Sequence, residues 1–216
     1  HKKIIIGTAQ FGSKYGINNN LEDIKQHNVN EILNYAKKLG IEYLDTAQGY
    51  GKSEKKIGKT HKNLNHKFRI ISKFKIDSDL KFDISIKNLN VKKLHLALVH
   101  NPEIILSSKN KRKNFIKILL AAKKYSHNIG ISVNQTNELQ ILKNYKEFSY
   151  IQIPFNIMDT RWNNFFSRTK KINIIIRSIF LQGLLITKKS NCPKNLNNKF
   201  IKIQKKLEKI KNKLKR

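Results

Sequence analysis

Short apolar runs rich in β-branched residues alternate with longer amphipathic segments along the whole chain of 216 residues. This alternation predicts strands that alternate with helices. The predicted strands are Ile4–Gly7, Tyr43–Asp45, Arg69–Lys73, Leu94–His100, Asn128–Ser132, Tyr150–Pro154 and Asn173–Ser178. The clearest helical patterns cover Val29–Leu39, Asn110–Tyr125 and Gln135–Asn144.

The strand cores are almost continuously apolar, which is typical of a parallel sheet covered by helices. Two architectures fit this pattern, a (β/α)8 barrel and an open doubly wound sheet. The glycines of Gly7–Gly12 lack the GxGxxG spacing that a dinucleotide-binding sheet uses. Polar residues instead follow the carboxyl ends of several strands, where a (β/α)8 barrel has its active site. We therefore favour the barrel, as a single domain over residues 1–216, because no Gly/Pro/Ser-rich linker divides the chain.

The predicted barrel is one strand–helix unit short. After the seventh strand the chain has only a loop and a basic amphipathic helix over residues 198–216. We expect either a truncated barrel or a partner segment that closes the gap. We also expect the last helix to pack on the outside of the barrel, with a lipid-surface helix or a coiled-coil seam as alternatives. Its apolar positions recur at three- and four-residue steps: Phe200, Ile203, Leu207, Ile210 and Leu214.

The composition adds a net charge of +31, which raises the question of a polyanionic partner. The basic residues are spread along the chain without an interleaved stripe of aromatic residues, so we expect a dispersed surface charge and no specific nucleic-acid partner. One cysteine excludes an internal disulfide, and no apolar stretch is long enough for a transmembrane segment. We expect a cytoplasmic protein; the oligomeric state is not indicated.

Candidate chemistry lies at the ends of the second, third and fourth predicted strands, which carry Asp45, Tyr50, Lys73 and His100. Tyrosine has a pKa near 10, and a neighbouring ammonium lowers it. An aspartate would keep that ammonium charged, and a histidine could hydrogen-bond a substrate oxygen. Neighbouring strands of a barrel end side by side, so these four side chains are predicted to converge around a proton-donating tyrosine.

This constellation resembles the aldo-keto reductase family, in its bacterial branch. Asp45–Glu54 is similar to the family's signature residue for residue. Further similar segments are Gly7–Gly12, Ile71–Lys73, Leu98–Pro102, Gly130–Ser132, Ile151–Asn156 and Arg177–Leu185.

The resemblance implies an oxidoreductase that reduces an aldehyde or ketone, its small-molecule partner, by hydride transfer from NADPH, with NADH not excluded, and without a metal. Tyr50 would donate the proton. Ser132 and Gln152 would hold the nicotinamide carboxamide, and Arg177 stands where many members place an aromatic residue that stacks on the ring. The implied cofactor-binding residues are Gly7, Thr8, Ser132, Gln152, Arg177, Ser178, Leu181, Gln182 and Gly183.

Two other functions remain open at this stage. A truncated barrel without the eighth-strand segment, which in the family grips the adenosine phosphate, could be a catalytically inactive scaffold. A basic protein could also be held on nucleic acid or membrane by charge alone. The complete set of four catalytic-type residues favours the enzyme.

Overall fold

A computed structural model of the chain describes residues 4–17, 24–76, 82–107, 109–144, 147–159, 161–168, 172–187 and 198–214. The strands are β1 (Ile5–Gly7), β2 (Tyr43–Ala47), β3 (Arg69–Phe74), β4 (Leu94–Val99), β5 (Ser126–Ser132), β6 (Tyr150–Pro154) and β7 (Asn173–Arg177). The α-helices are α1 (Gln26–Lys38), α2 (Ser53–His61), α3 (Phe82–Leu89), α4 (Glu103–Ser107), α5 (Lys109–Tyr125), α6 (Ile141–Asn144), α7 (Asn163–Arg168) and α8 (Asn198–Leu214).

The seven strands form one parallel sheet whose spatial order follows the order of the chain, β1 to β7. Helices lie between successive strands, so the sheet is an incomplete (β/α)8 barrel, and the preference for a barrel over a doubly wound sheet is confirmed. A doubly wound sheet would reverse its strand order at a switch point, and this sheet does not. Among the described residues, β1 pairs only with β2 and β7 only with β6.

Alternation along each strand separates two apolar layers. One face of β2 and β3 packs against the helices through Leu44 and Ile70. The opposite face carries Tyr43 and Ile71 into a small cluster inside the barrel. Two residues further along each strand, the inward-facing residues are polar: Asp45 in β2 and Lys73 in β3. The same period that builds the inner core therefore points the polar side chains at the carboxyl end into the barrel.

Helix α1 shows why the amphipathic segments cover the sheet. Val29, Leu33 and Ala36 recur at four- and three-residue steps and are all buried. Burying such a stripe against the sheet stabilises the helix more than its intrinsic propensity does.

Several predicted boundaries differ from the structure. The segment predicted as one helix over Gln135–Asn144 is a 3₁₀ turn, Thr136–Gln140, followed by the short helix α6. Strand β5 begins at Ser126, two residues before the predicted start, because Leu94 pairs with Ser126 in the ladder. These ends depend on contacts with the neighbouring strand, which local periodicity does not encode.

The last helix, α8, contacts the loop that follows β7. Its residues Ile203 and Leu207 are half-buried, and Gln204 donates a hydrogen bond to the carbonyl of Thr187. The side chains of Phe200, Ile210 and Leu214, which belong to the predicted stripe, lie outside the described residues. None of the helices in the described ranges combines the length and apolarity that a membrane crossing needs.

Candidate active site

A buried ion pair occupies the inside of the barrel at the carboxyl ends of β2 and β3. Lys73 Nζ donates to Asp45 Oδ1 at 2.6 Å and to the carbonyl of Thr46 at 3.0 Å. The Lys73 side chain is 1% exposed and that of Asp45 13% exposed. Burial lowers the pKa of Lys73, and the Asp45 carboxylate opposes that effect. The pair therefore holds the lysine amine in one place and favours its charged form.

The turn after β2 presents Tyr50 to this pair. The amide of Tyr50 donates to the carbonyl of Ala47, and the amide of Ser53, the first residue of α2, donates to the carbonyl of Tyr50, both at 3.0 Å. Gly51 has a φ of +52°, a conformation that glycine adopts without steric penalty. The tyrosine thus sits in a tight turn between a strand and a helix.

The loop after β1 packs directly on this turn through Gly12. A Cβ atom on Gly12 would lie 1.9 Å from the carbonyl oxygen of Tyr50 and 2.3 Å from the amide nitrogen of Ser53. Only a residue without a side chain permits such an approach. Gly12 of the first-strand motif therefore determines where the turn with Tyr50 can lie.

Hydroxyl groups tie the first two strands to α2. Ser53 Oγ lies 3.0 Å from the Thr8 carbonyl oxygen and 3.2 Å from Thr46 Oγ1. Thr8 Oγ1 donates to the carbonyl of Asp45 at 3.0 Å. All three hydroxyl residues are buried. Buried hydroxyls that satisfy one another fix the relative positions of the elements that carry them.

The four predicted catalytic residues come together around the ring of Tyr50. Lys73 Nζ lies 5.1 Å from its centroid. The ring of His100, which follows β4, is 6.3 Å from the Tyr50 ring between centroids, at an interplanar angle of 84°. Asp45 is bonded to Lys73, so the convergence predicted from consecutive strand ends is what the structure contains.

The electrostatics of Tyr50 differ from the expectation. Burial, and next the Asp45 carboxylate, raise the pKa of Tyr50 to about 12, while Arg177 opposes the rise. The expected fall in the pKa of Tyr50 is therefore not found, because burial and the Asp45 carboxylate both act in the opposite direction. Burial, with Lys73 and Arg177, lowers the pKa of His100 to about 4. At neutral pH the tyrosine is therefore a protonated phenol and the histidine a neutral imidazole.

A cavity of about 550 Å³ opens above these residues. All four predicted catalytic residues line it. Of the predicted cofactor-binding residues, the following line it as well: Gly7, Thr8, Arg177, Ser178, Gln182 and Gly183. Leu181, Ser132 and Gln152 are not among the residues that line it.

That loop is built from left-handed backbone conformations. Positive φ angles occur at Ser178 (60°), Leu181 (47°), Gln182 (57°) and Gly183 (94°). The amide of Ile17, in the loop after β1, donates to the carbonyl of Gln182 at 3.0 Å. The loops after the first and seventh strands therefore meet over the cavity and form one wall of it.

Ser132 and Gln152 lie behind the cavity and not on its surface. They pair in the register between β5 and β6, so both side chains point inward at the same level. Ser132 Oγ donates to Gln152 Oε1 at 2.9 Å, and Gln152 Nε2 donates to Asp45 Oδ1 at 3.3 Å. Both residues are at most 2% exposed. In this arrangement Ser132 bonds to Gln152 and Gln152 bonds to Asp45. Their contact with a nicotinamide carboxamide stays a prediction.

Arg177 ends β7 with its side chain half-buried against the cavity. Its Nη2 donates to the carbonyl of Val133 at 3.0 Å and to Asn134 Oδ1, and its Nη1 donates to Ser178 Oγ at 3.3 Å. Burial lowers the pKa of the guanidinium, and nearby tyrosines and Asp45 oppose that effect. The guanidinium is therefore held in place by neutral acceptors.

Tyr15 lines the cavity but was not predicted from the sequence. Its backbone carbonyl accepts a hydrogen bond from Gln10 Nε2 at 3.0 Å, which folds the loop after β1. The sequence did contain a signal for it, because Tyr15 is an aromatic residue in a loop between Gly12 and Gly16 that follows a strand. Asn134, two residues after β5, also lines the cavity and was also not predicted. Within the part of the chain that the structure describes, no cluster of three or more histidine, cysteine or acidic residues could hold a metal.

Comparisons with known proteins identify the family and the fold. The sequence profile of the aldo/keto reductase family matches residues 3–216. No curated protein sequence matches the chain significantly.

Solved structures share the fold. The glycerol dehydrogenase of Gluconobacter oxydans superposes with a TM-score of 0.70 at 18% identity, over 97% of this chain and 74% of that one. An aldo-keto reductase of Bacillus halodurans in its holo form has a TM-score of 0.65 at 18% identity, over 85% of this chain and 64% of that one. Bombyx mori aldo-keto reductase in complex with NADP has a TM-score of 0.61 at 17% identity, over 81% of this chain and 62% of that one. The matched part of this chain thus spans less than two thirds of the length of the last two.

Proposed function

This chain belongs to the aldo/keto reductase family, and on that premise we propose that it reduces an aldehyde or ketone to an alcohol with a nicotinamide cofactor, NADPH or NADH. One observation carries the proposal: Tyr50, Lys73, Asp45 and His100 surround a single cavity at the carboxyl end of the sheet. This is the end at which barrels of this type build their active sites.

The cofactor fits the cavity in part. Gly7, Thr8 and the β7 loop residues Ser178, Gln182 and Gly183 line it and would hold the nicotinamide end and the start of the pyrophosphate. Small residues and backbone groups suit the close approach of a phosphate. When bound, the cofactor supplies the hydride that adds to the carbonyl carbon.

The chain's own residues would handle the proton. As hydride adds to the carbonyl carbon, negative charge develops on the carbonyl oxygen, and Tyr50 transfers its phenolic proton to that oxygen to give the alcohol. A phenol with a pKa of about 12 can do so because an alkoxide is a much stronger base than a phenolate. The remaining phenolate would be stabilised by Lys73, whose Nζ lies over the ring at 5.1 Å from its centroid.

His100 would act as a neutral hydrogen-bond partner of the substrate. With its pKa lowered to about 4, it carries no charge at neutral pH and cannot itself deliver the proton as an imidazolium. An imidazole N–H directed at the carbonyl oxygen would orient it toward Tyr50 and polarise it. Ser132 and Gln152 would assist indirectly, by fixing Asp45.

The test is turnover of an aromatic aldehyde with NADPH, followed by the loss of absorbance of the reduced cofactor. Tyr50→Phe removes only the hydroxyl and is expected to lower kcat by about 100- to 10,000-fold, the usual contribution of a general acid. Tyr35→Phe is the matched control, because Tyr35 lies on α1 with 64% of its surface exposed. Equal rates for Tyr50→Phe and the wild type would refute the assignment of the proton donor.

A scaffold without activity is the second candidate, favoured by the burial of Ser132 and Gln152 away from the cavity. Titration with NADPH, followed by its fluorescence, separates the two functions. Saturable binding that is competed by NADP⁺ supports the reductase. Absence of both binding and turnover supports the scaffold.

A further inference from the structure

A buried carboxylate that the proposed mechanism does not use follows the turn with Tyr50. Glu54 belongs to the first turn of α2 and is 5% exposed. Its Oε1 accepts a hydrogen bond from Ser72 Oγ at 2.8 Å, and its Oε2 accepts one from Ser85 Oγ at 2.9 Å. No lysine or arginine of the described ranges forms an ion pair with it. Buried charges are usually paired with an opposite charge, so a carboxylate held by two hydroxyls requires an explanation.

The two serines that hold Glu54 come from different elements. Ser72 lies in β3 directly before Lys73, and successive side chains of a strand point to opposite faces. Lys73 therefore points into the barrel, and Ser72 points outward to the helices. Ser85 lies in α3 and is 2% exposed. Glu54 thus joins the start of α2 to both β3 and α3.

A glycine one turn further along α2 permits the contact with α3. A Cβ atom on Gly58 would lie 1.8 Å from the carbonyl oxygen of Asn88 in α3, so the two helices approach each other closely. Residues four apart lie on the same face of a helix. The close approach at Gly58 therefore also brings α3 within reach of Glu54.

The same network holds the turn from its other side. Gln48, two residues before Tyr50, donates through Nε2 to Ser85 Oγ at 3.0 Å. Its backbone amide donates to the carbonyl of Lys73 at 3.1 Å. The turn is therefore attached to β3 before Tyr50 by Gln48 and after Tyr50 by Glu54.

We propose that Glu54 is a positioning residue, which sets the separation between Tyr50 and Lys73 by fixing the turn of the first to the strand of the second. This proposal rests on the proposed reductase function. In that function Lys73 stabilises the phenolate left after proton transfer, which depends on the 5.1 Å between its Nζ and the Tyr50 ring centroid. Burial raises the pKa of Glu54, and the hydrogen bonds from the two serines oppose that rise. These bonds favour the carboxylate form, which accepts on both oxygens.

The test measures kcat and KM for an aromatic aldehyde with NADPH in three variants. Glu54→Leu keeps a similar volume but removes both acceptors. It is expected to lower kcat about 10- to 100-fold, the effect of a small displacement of a catalytic group, with KM and the Kd for NADPH within about twofold of the wild type. Glu54→Gln keeps one acceptor and can donate to Ser72, so it is expected to retain most of the rate. Ser85→Ala removes one hydrogen bond and is expected to lie between the two.

A double variant distinguishes positioning from a general loss of structure. If Glu54 acts through Tyr50, then Glu54→Leu should change kcat by less than about twofold once Tyr50→Phe is present, because there is no longer a phenolic proton to position. A merely structural role would lower kcat by the same factor with and without Tyr50→Phe. Equal factors in the two backgrounds would therefore overturn the proposal.

Thr60→Val is the matched control, because Thr60 is a buried residue of the same helix whose hydroxyl lies 2.7 Å from Asn30 Oδ1 of α1. It is expected to lower the urea midpoint, as Glu54→Leu does, and to leave kcat at the wild-type value. An equal fall of kcat in Thr60→Val, or a wild-type kcat in Glu54→Leu or Ser85→Ala, would overturn the proposal. Absence of turnover in the wild type would instead contradict the reductase function, and this proposal with it.

Discussion

Replacing Asp45 by asparagine would leave the Lys73 ammonium in the barrel without its counter-charge. Lys73 is 1% exposed, and its remaining partners would be the carbonyl of Thr46 and the new amide oxygen. Removing one partner of a buried ion pair costs about 3–5 kcal/mol. Asp45 is 13% exposed toward the cavity, and asparagine keeps one acceptor, so we expect Asp45→Asn to lower the free energy of unfolding by about 2–4 kcal/mol at pH 7.

The loss should depend on pH in a defined direction. Burial already lowers the pKa of Lys73 in the folded state below the unfolded value of 10.5. Without the carboxylate this pKa falls further, so the variant holds a neutral amine at a lower pH than the wild type does. A lysine with a lowered folded pKa gives stability that rises as pH rises toward the unfolded value. The difference between wild type and Asp45→Asn should therefore shrink from pH 7 to pH 9.5.

Urea unfolding at several pH values measures this difference, and Lys73→Met supplies the control. The double variant Asp45→Asn/Lys73→Met contains no buried charge and is expected within about 1 kcal/mol of the wild type, since apolar replacement of a buried pair is often neutral. Both single variants and the double variant are expected to lose most activity. An unchanged stability of Asp45→Asn at pH 7, or a loss that grows toward pH 9.5, would refute the description of this pair.

Two further predictions concern the turn and the histidines. Gly12→Ala should lower the free energy of unfolding by about 1–3 kcal/mol and reduce kcat, because the new Cβ would meet the carbonyl oxygen of Tyr50 at 1.9 Å. Gly49→Ala is the control, since no atom lies within 4 Å of the Cβ it would add. Similar urea midpoints and similar rates for the two variants would contradict the close packing at Gly12. The pKa of His61, buried and bonded to the Leu89 carbonyl, is lowered from 6.5 to about 4, so the unfolded chain takes up its proton first as pH falls. His61 alone should lower the free energy of unfolding by up to about 3 kcal/mol between pH 7 and pH 4. His61→Gln should make the free energy of unfolding less dependent on pH, although His100 still contributes in the same direction. An unchanged pH dependence in the variant would show that His61 is not held neutral.

Local pattern predicts the parallel sheet and the convergence of the catalytic set well, for a simple reason. In consecutive parallel strands, adjacent ends are adjacent in space, so Asp45 and Lys73 are neighbours once Ala47 pairs with Lys73. A period of two along β2 and β3 then directs both side chains inward. Sequence spacing alone contains this information.

The depth of a side chain and its net electrostatic surroundings are not contained in that spacing. The hydrogen bond between Ser132 and Gln152 depends on the register of β5 against β6, which the spacing of the two residues in the sequence does not give. The pKa of Tyr50 rises where a neighbouring lysine predicted a fall, because burial and the Asp45 carboxylate outweigh the ammonium. Each of these depends on summed contributions from several elements.

By itself, the order of apolar runs and polar strand ends determined the barrel architecture, the order of its strands and the identity of the residues around Tyr50. Only the tertiary structure decided how the loops after β1 and β7 meet over the cavity, where Tyr15 lies and which acceptors hold the Arg177 guanidinium. The physical reason is that chain order dictates which strand ends are neighbours. Desolvation and charge balance depend on every atom that packs around a group, including atoms from distant parts of the chain.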